Sequence, residues 1–123
     1  LVIDPPDAIG SDAEISTGLG LYNQHCMRCH GVGAVAQGLV PDLRAMTRPT
    51  HDIFDAIVLE GVLAPVGMIG FKDVLTVAES EMIRRYLIQT AHKQKDLDNE
   101  SSTWRAFRTF WLDQFGWLAE KMI

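Results

Sequence analysis

The stretch "HCMRCHG", residues 25–31, contains both cysteines of the chain, three positions apart, with a histidine directly after the second. One helical turn over such a segment sets two sulfurs against neighbouring edges of a flat macrocycle and carries the next imidazole beneath its centre. C-x-x-C-H is accordingly the attachment signature of c-type haem. Cys26 and Cys29 are the expected thioether anchors, and His30 the proximal iron ligand. Three rival readings stay open on these residues alone. A thioredoxin-like redox pair needs βαβ surroundings that the flanking sequence does not suggest. A structural zinc site needs four ligands, and no second pair stands at finger spacing. A plain disulfide needs only the two thiols.

The rest of the chain limits what this motif serves. At 123 residues, 47% hydrophobic and 22% charged, the sequence suits one small domain that gains from a bound cofactor. Eleven basic residues stand against sixteen acidic ones, a net charge of −5, and the basic ones are scattered, so nucleic acid is not the expected partner. The most apolar run, "IVLEGVLAPVGMIGF" (57–71), is broken by Glu60, Pro65 and its glycines, and falls short of the ~18 apolar residues of a membrane span. The opening "LVIDPPDAIG" (1–10) lacks a basic start and an apolar core, so it is expected to be a linker or arm of a mature or larger protein and not a signal peptide.

Periodicity predicts helices joined by irregular loops. Ser11 to Glu14 forms a capping box, followed by Ile15, Leu19, Tyr22 and Cys26 at helical spacing. Residues 31–49 read as loop with short turns at most. A second helix is expected over 49–61, with Thr50 as N-cap and Gly61 as its stop. A third spans 76–93, opened by Thr76 with Glu79 and striped by Ile83, Tyr86, Leu87 and Thr90. No window alternates with period two, so little or no sheet is expected. Residues 94–103 are polar and read as a linker. The final stretch, 104–123, places Trp104, Phe107, Trp111, Phe115, Leu118 and Met122 on one helical face. That face is expected to wrap the domain, or else to dock a dehydrogenase, a second copy or, less favourably, a membrane surface. His25, His51 and His92 are expected on the surface or in packing, not in catalysis.

A haem iron in an electron carrier takes a sixth ligand, and methionine opposite histidine favours the ferrous state. Met27 lies within the anchor motif, Met82 mid-helix and Met122 beyond the polar stretch, which leaves Met46 and Met68. Met68, in the glycine-flanked "APVGMIGF" (64–71), is the expected ligand, with Met46 as the alternative.

The run "CMRCHGVGAVAQGLVPDLR" with "DAIVLEGVLAPVGMIGF" resembles the C-terminal cytochrome c domain of quinohaemoprotein alcohol dehydrogenases, which carry a pyrroloquinoline quinone propeller. The resemblance covers about residues 11–93 and implies an all-α cytochrome c fold around one covalent haem c. It implies that Cys26 and Cys29 hold the haem, that His30 and Met68 ligate iron, and that the Pro41 carbonyl orients the His30 ring. By the same resemblance Arg44 faces a haem propionate. It further implies a bacterial periplasmic setting, a quinoprotein dehydrogenase domain or subunit as electron donor, an unspecified downstream acceptor, and no substrate chemistry in this chain. The propeller itself is absent from the 123 residues.

Overall fold

The computed structural model describes residues 2–36, 38 and 40–122, the side chains of 117–122 excepted. All regular structure among them is helical: α1 (Asp12–His25), α2 (Met27–His30), α3 (Arg48–Asp52), α4 (Phe54–Val58) and α5 (Val77–Met122), with 3-10 turns at Val32–Ala34, Leu43–Ala45 and Ala64–Val66.

The first and last helices form the frame. In α1 the Ser11 hydroxyl accepts from the Glu14 amide at 3.2 Å while the Glu14 carboxylate accepts from the Ser11 amide at 3.0 Å, so the expected capping box is formed. Thr76 and Glu79 repeat the arrangement at the start of α5. The buried face of α1 consists of Ile15, Gly18 and Tyr22. Leu19, expected on that face, is 40% exposed and Gly18 takes its place. The reason is the crossing with α5: a Cβ on Gly18 would lie 2.1 Å from the Met82 carbonyl oxygen and 3.0 Å from Tyr86 Cβ. Only glycine admits so close a backbone approach. Tyr22 and Tyr86 pack with ring centroids 5.3 Å apart, and Glu14 pairs with Arg85 across the same crossing.

Ile83, Tyr86 and Leu87 of α5 join Phe54, Val58, Leu59 and Leu75 in the core. Thr90 is half-buried at its edge. The helix expected over 49–61 is two short pieces. Thr47, not Thr50, is the N-cap, accepting from the Thr50 amide, and Ile53 (φ −109°, ψ +22°) leaves the helical region between α3 and α4. The break turns Ile53 outward and Phe54 into the core. Among its described residues the loop after α2 contains two 3-10 turns and no longer helix, in keeping with its irregular reading. The N-terminal arm is docked: Ile3 is buried, Arg48 donates to the Pro5 carbonyl at 3.0 Å, and His92 Nε2 lies 2.7 Å from the Pro6 carbonyl.

The linker expected at 94–103 is not one, because α5 runs through it as a continuous helix of 46 residues. The segment lacks an apolar face but also lacks glycine and proline, so nothing breaks the backbone ladder, and the Gln94 amide donates to Asp98 one turn on at 2.8 Å. Nor does the aromatic face wrap the domain: Trp104, Phe107, Trp111 and Phe115 are all exposed. Leu118 and Met122, placed on the same stripe, have side chains outside the described residues.

Candidate haem site

The cysteines sit where α1 gives way to α2. The Cys26 amide still donates to the Tyr22 carbonyl at 2.8 Å, and the His30 amide donates to the Cys26 carbonyl at 3.0 Å, so the motif is wound into one turn. Gly31 (φ +86°) then ends it with a backbone conformation open to glycine. Both thiols are free, Cys29 exposed and Cys26 half-buried. Burial, reinforced by Cys29, pushes the Cys26 thiol up to about 11.

His30 is half-buried, and burial lowers its pKa, which favours the neutral form that binds metals. Its Nδ1 is buried without a hydrogen-bond partner among the described residues. The acceptor expected from the Pro41 carbonyl is therefore not engaged in this structure, and Pro41 is exposed. An orphaned buried ring nitrogen is uncommon, because desolvation of an unpaired polar atom costs on the order of 1–3 kcal/mol. His51 Nδ1 is in the same state, its ring buried within the domain and its pKa lowered chiefly by that burial.

Tyr22 was legible only as a core residue, and the structure gives it a second task. Its ring is fully buried and its hydroxyl donates to the Gly31 carbonyl at 2.6 Å, pinning the residue that follows His30. A buried tyrosine needs a partner for its hydroxyl, which is the signal that sequence reasoning left unused. Burial raises its pKa to about 12. The stabilisation from this neutral donor is present below its unfolded value near 10 and is lost as pH rises through about 12. Tyr22→Phe is expected to destabilise the chain by about 0.5–1.5 kcal/mol, read as a lowered thermal midpoint, because the Gly31 carbonyl keeps only the 3.3 Å bond from the Ala34 amide. An unchanged midpoint removes the hydroxyl from this role.

Met68 lies in a loop closed by backbone contacts. The Phe71 amide donates to the Val58 carbonyl at 2.8 Å, the Lys72 amide to the Leu59 carbonyl at 3.3 Å, and the Met68 amide to the Leu63 carbonyl at 3.2 Å. Gly61 and Gly70 meet at its neck, where a Cβ on Gly70 would stand 2.6 Å from the Leu59 carbonyl oxygen. Met68 and Met46 are both half-buried and pack against the same apolar cluster as Cys26. The alternatives left open by the sequence thus remain side by side. Loops flanking the motif expose Val32, Val62, Val66 and Ile69, apolar surface that a flat hydrophobic group would take out of water.

Arg44 is not a free surface cation. Its Nε and Nη2 donate to the two oxygens of Asp42 at 3.0 and 2.6 Å, and Nη1 donates to Gln94 Oε1 at 2.9 Å. The fork ties the 3-10 turn at Leu43–Ala45 to α5, and the guanidinium beside Asp42 holds that carboxyl below its usual range. Neither Asp42 nor Gln94 stood out in the sequence, since their value depends on the turn meeting the helix. Among the described residues no three His, Cys, Asp or Glu side chains are grouped to hold a metal ion. Among the described residues no helix is long and apolar enough to cross a membrane.

Free thiols on one turn, a half-buried imidazole with an unpaired nitrogen beside them and methionines on the adjoining cluster fit a covalently held haem. Comparison with known proteins agrees. A family model described as "Cytochrome C oxidase, cbb3-type, subunit III" matches residues 13–87. The quinohemoprotein alcohol dehydrogenase ADH-IIG of Pseudomonas putida is 40% identical over 103 residues, 84% of this chain and 14% of that protein. ADH IIB of the same species is 37% identical over 89 residues, 72% of this chain and 13% of that protein. The solved structure of the quinohemoprotein alcohol dehydrogenase ADHIIG from Pseudomonas putida HK5 superimposes with a TM-score of 0.72 at 39% identity, covering 85% of this chain and 15% of that one. The chain thus spans about one seventh of the length of these relatives. It belongs to the cytochrome c family that this model describes, it has the cytochrome c fold, and it is related to the cytochrome c region of quinohaemoprotein alcohol dehydrogenases.

Proposed function

We propose that this chain carries single electrons from a quinoprotein alcohol dehydrogenase domain or subunit to a downstream redox protein, in the bacterial periplasm, through one low-spin haem c. When bound, the haem supplies reversible one-electron oxidation and reduction of its iron. Cys26 and Cys29 would hold it by thioether bonds, and His30 and Met68 would ligate its iron. Pro41 is proposed as the acceptor for the His30 ring once the iron fixes the ring's rotation, because a ligating imidazole needs its second nitrogen held. Arg44, with three of its five N–H groups given to Asp42 and Gln94, keeps two for a propionate carboxylate. With His30 and Met68 both given to the iron, the chain would perform no substrate chemistry of its own. The observation that carries this reading is His30, half-buried with its Nδ1 unpartnered, wound onto the same turn as two free thiols.

The test is the visible spectrum, oxidised and reduced, before and after acidic organic extraction. Haem that stays with the polypeptide supports the reading; haem that extracts freely, or none at all, overturns it and leaves Cys26 and Cys29 as thiols.

Electron entry is proposed at the exposed apolar rim beside the motif, formed by Val32 (74% exposed) and Ile69 (64%), with half-buried Met27 adjoining. Val32→Glu places a desolvated charge in that contact and is expected to slow reduction by the donor by about tenfold, measured by rapid mixing. An unchanged rate removes Val32 from the docking surface.

A further inference from the structure

A ring pair joins the anchor turn to the Met68 loop. His25 is the last residue of α1, directly before Cys26, and Phe71 lies three residues after Met68. Both are half-buried, and their rings pack edge to face with centroids 6.0 Å apart and planes at 64°. Each ring stands on fixed backbone. The Cys26 amide beside His25 donates to the carbonyl of Tyr22, whose ring is packed in the crossing of α1 with α5. The Phe71 amide donates to the Val58 carbonyl, and the Phe71 carbonyl accepts from the amides of Val74 at 2.9 Å and Leu75 at 2.8 Å.

The polar contacts of the loop all return to its own stem. Backbone hydrogen bonds from residues 61–75 run to Ala56, Val58, Leu59 and one another, and the ion pair of Lys72 with Glu60, at 3.8 Å, stays there too. Among the described residues no hydrogen bond or ion pair joins 61–75 to α1. These bonds fix the shape of the loop but not its placement against the anchor turn. The apolar cluster beneath Met68 and Phe71 is non-directional, so the ring pair is the oriented contact between the loop and α1.

We propose that His25 and Phe71 are positioning residues for iron ligation, their contact bracing the Met68 loop against the anchor helix and setting how firmly the thioether is held at the iron. The proposal rests on Met68 as the axial ligand. Outer partners that orient a metal ligand commonly govern its hold on the metal. A thioether is a neutral, weak donor, so the balance between a closed and an open loop decides whether it keeps its place against a competing base. An aromatic pair of this geometry shifts such a balance by about three- to tenfold.

Imidazole titration of the ferric, haem-loaded chain reads that balance, because apparent affinity scales with the fraction of molecules whose thioether is off the iron. His25→Ala and Phe71→Leu are each expected to tighten imidazole binding about three- to tenfold and to weaken the iron–thioether absorption band, with helical content unchanged and the haem still covalently attached. The double variant is expected to go no further than the singles, since both remove one contact. His25→Phe, which keeps a ring at the position, is expected to restore the parental affinity and band. Parental affinity in both single variants overturns the proposal. So does a double variant whose effects multiply, or a His25→Phe chain that binds like His25→Ala, which shows that the ring pair is not what acts. Met68→Ala separates this failure from that of the underlying reading: if it binds imidazole no more tightly than the parent, Met68 is not on the iron and both fall together.

Discussion

Met68→Ala is expected to leave the haem covalently attached while lowering the reduction potential by on the order of 0.1–0.3 V, part of the ~0.8 V range that axial ligands span. The thioether is a soft donor that favours ferrous iron, so its removal stabilises the ferric state and opens a coordination position. Carbon monoxide should then bind the reduced variant readily and the parent poorly. Met46→Ala is the essential companion, because both methionines are half-buried against the same cluster. A large shift in Met46→Ala with none in Met68→Ala transfers the ligand role to Met46. A shift in neither shows that the iron takes no sixth ligand from these loops. The loop geometry supports Met68: Gly67 (φ +108°) turns the chain immediately before it, and the Gly61–Gly70 neck holds the loop ends together. Met46, by contrast, directly follows the 3-10 turn that Arg44 ties to α5 through Gln94.

Gly18→Ala is expected to be the most damaging small substitution in the fold. The added Cβ would sit 2.1 Å from the Met82 carbonyl oxygen, which is backbone of a packed helix and cannot swing aside. Relieving the overlap means separating α1 from α5, which also parts the Tyr22–Tyr86 contact and the Glu14–Arg85 pair. A cost of about 3 kcal/mol or more follows, at or beyond the upper end of ordinary overpacking. For a domain of this size that is a fall of roughly 10–20 °C in Tm. Gly20→Ala isolates the cause. It lies on the same helix with nothing within 4 Å of its would-be Cβ, and should leave Tm unchanged or raise it, since alanine is the better helix former by up to ~1 kcal/mol. Equal losses from both variants would show that the damage is not the crossing.

The damage should also reach the site, because Tyr22 is one turn beyond Gly18 and its hydroxyl holds Gly31. Helix packing and the geometry of the Cys26–His30 turn are thus coupled in this chain. A strained crossing displaces the tyrosine that ends the anchor turn, so Gly18→Ala should weaken haem incorporation as well as stability.

Much of this was legible in the linear sequence because the determinants are local. The anchor motif needs only three residues on one turn, and Cys26, Cys29 and His30 fall there by helical geometry. Both capping boxes are contacts between residues three apart, readable without any partner helix. The helical class and the landmarks of the cytochrome c family were likewise in reach, since hydrophobic period and motif spacing are properties of the string itself.

Tertiary structure decided whatever depends on two distant segments meeting. Glycine at position 18 has no period-based signature of burial, and only the approach of Met82 makes it the centre of a helix crossing. For Arg44 the resemblance implied only a propionate, whereas its bonds to Asp42 and Gln94 exist only because the turn at Leu43–Ala45 meets α5. The polar stretch 94–103 read as a linker because it has no apolar face, yet a backbone ladder continues wherever nothing interrupts it. Spacing alone puts Trp104, Phe107, Trp111 and Phe115 on one helical face, but whether a face is core or surface is not encoded in that spacing. Periodicity states which residues share a side, and only the arrangement of the other helices states whether anything lies opposite.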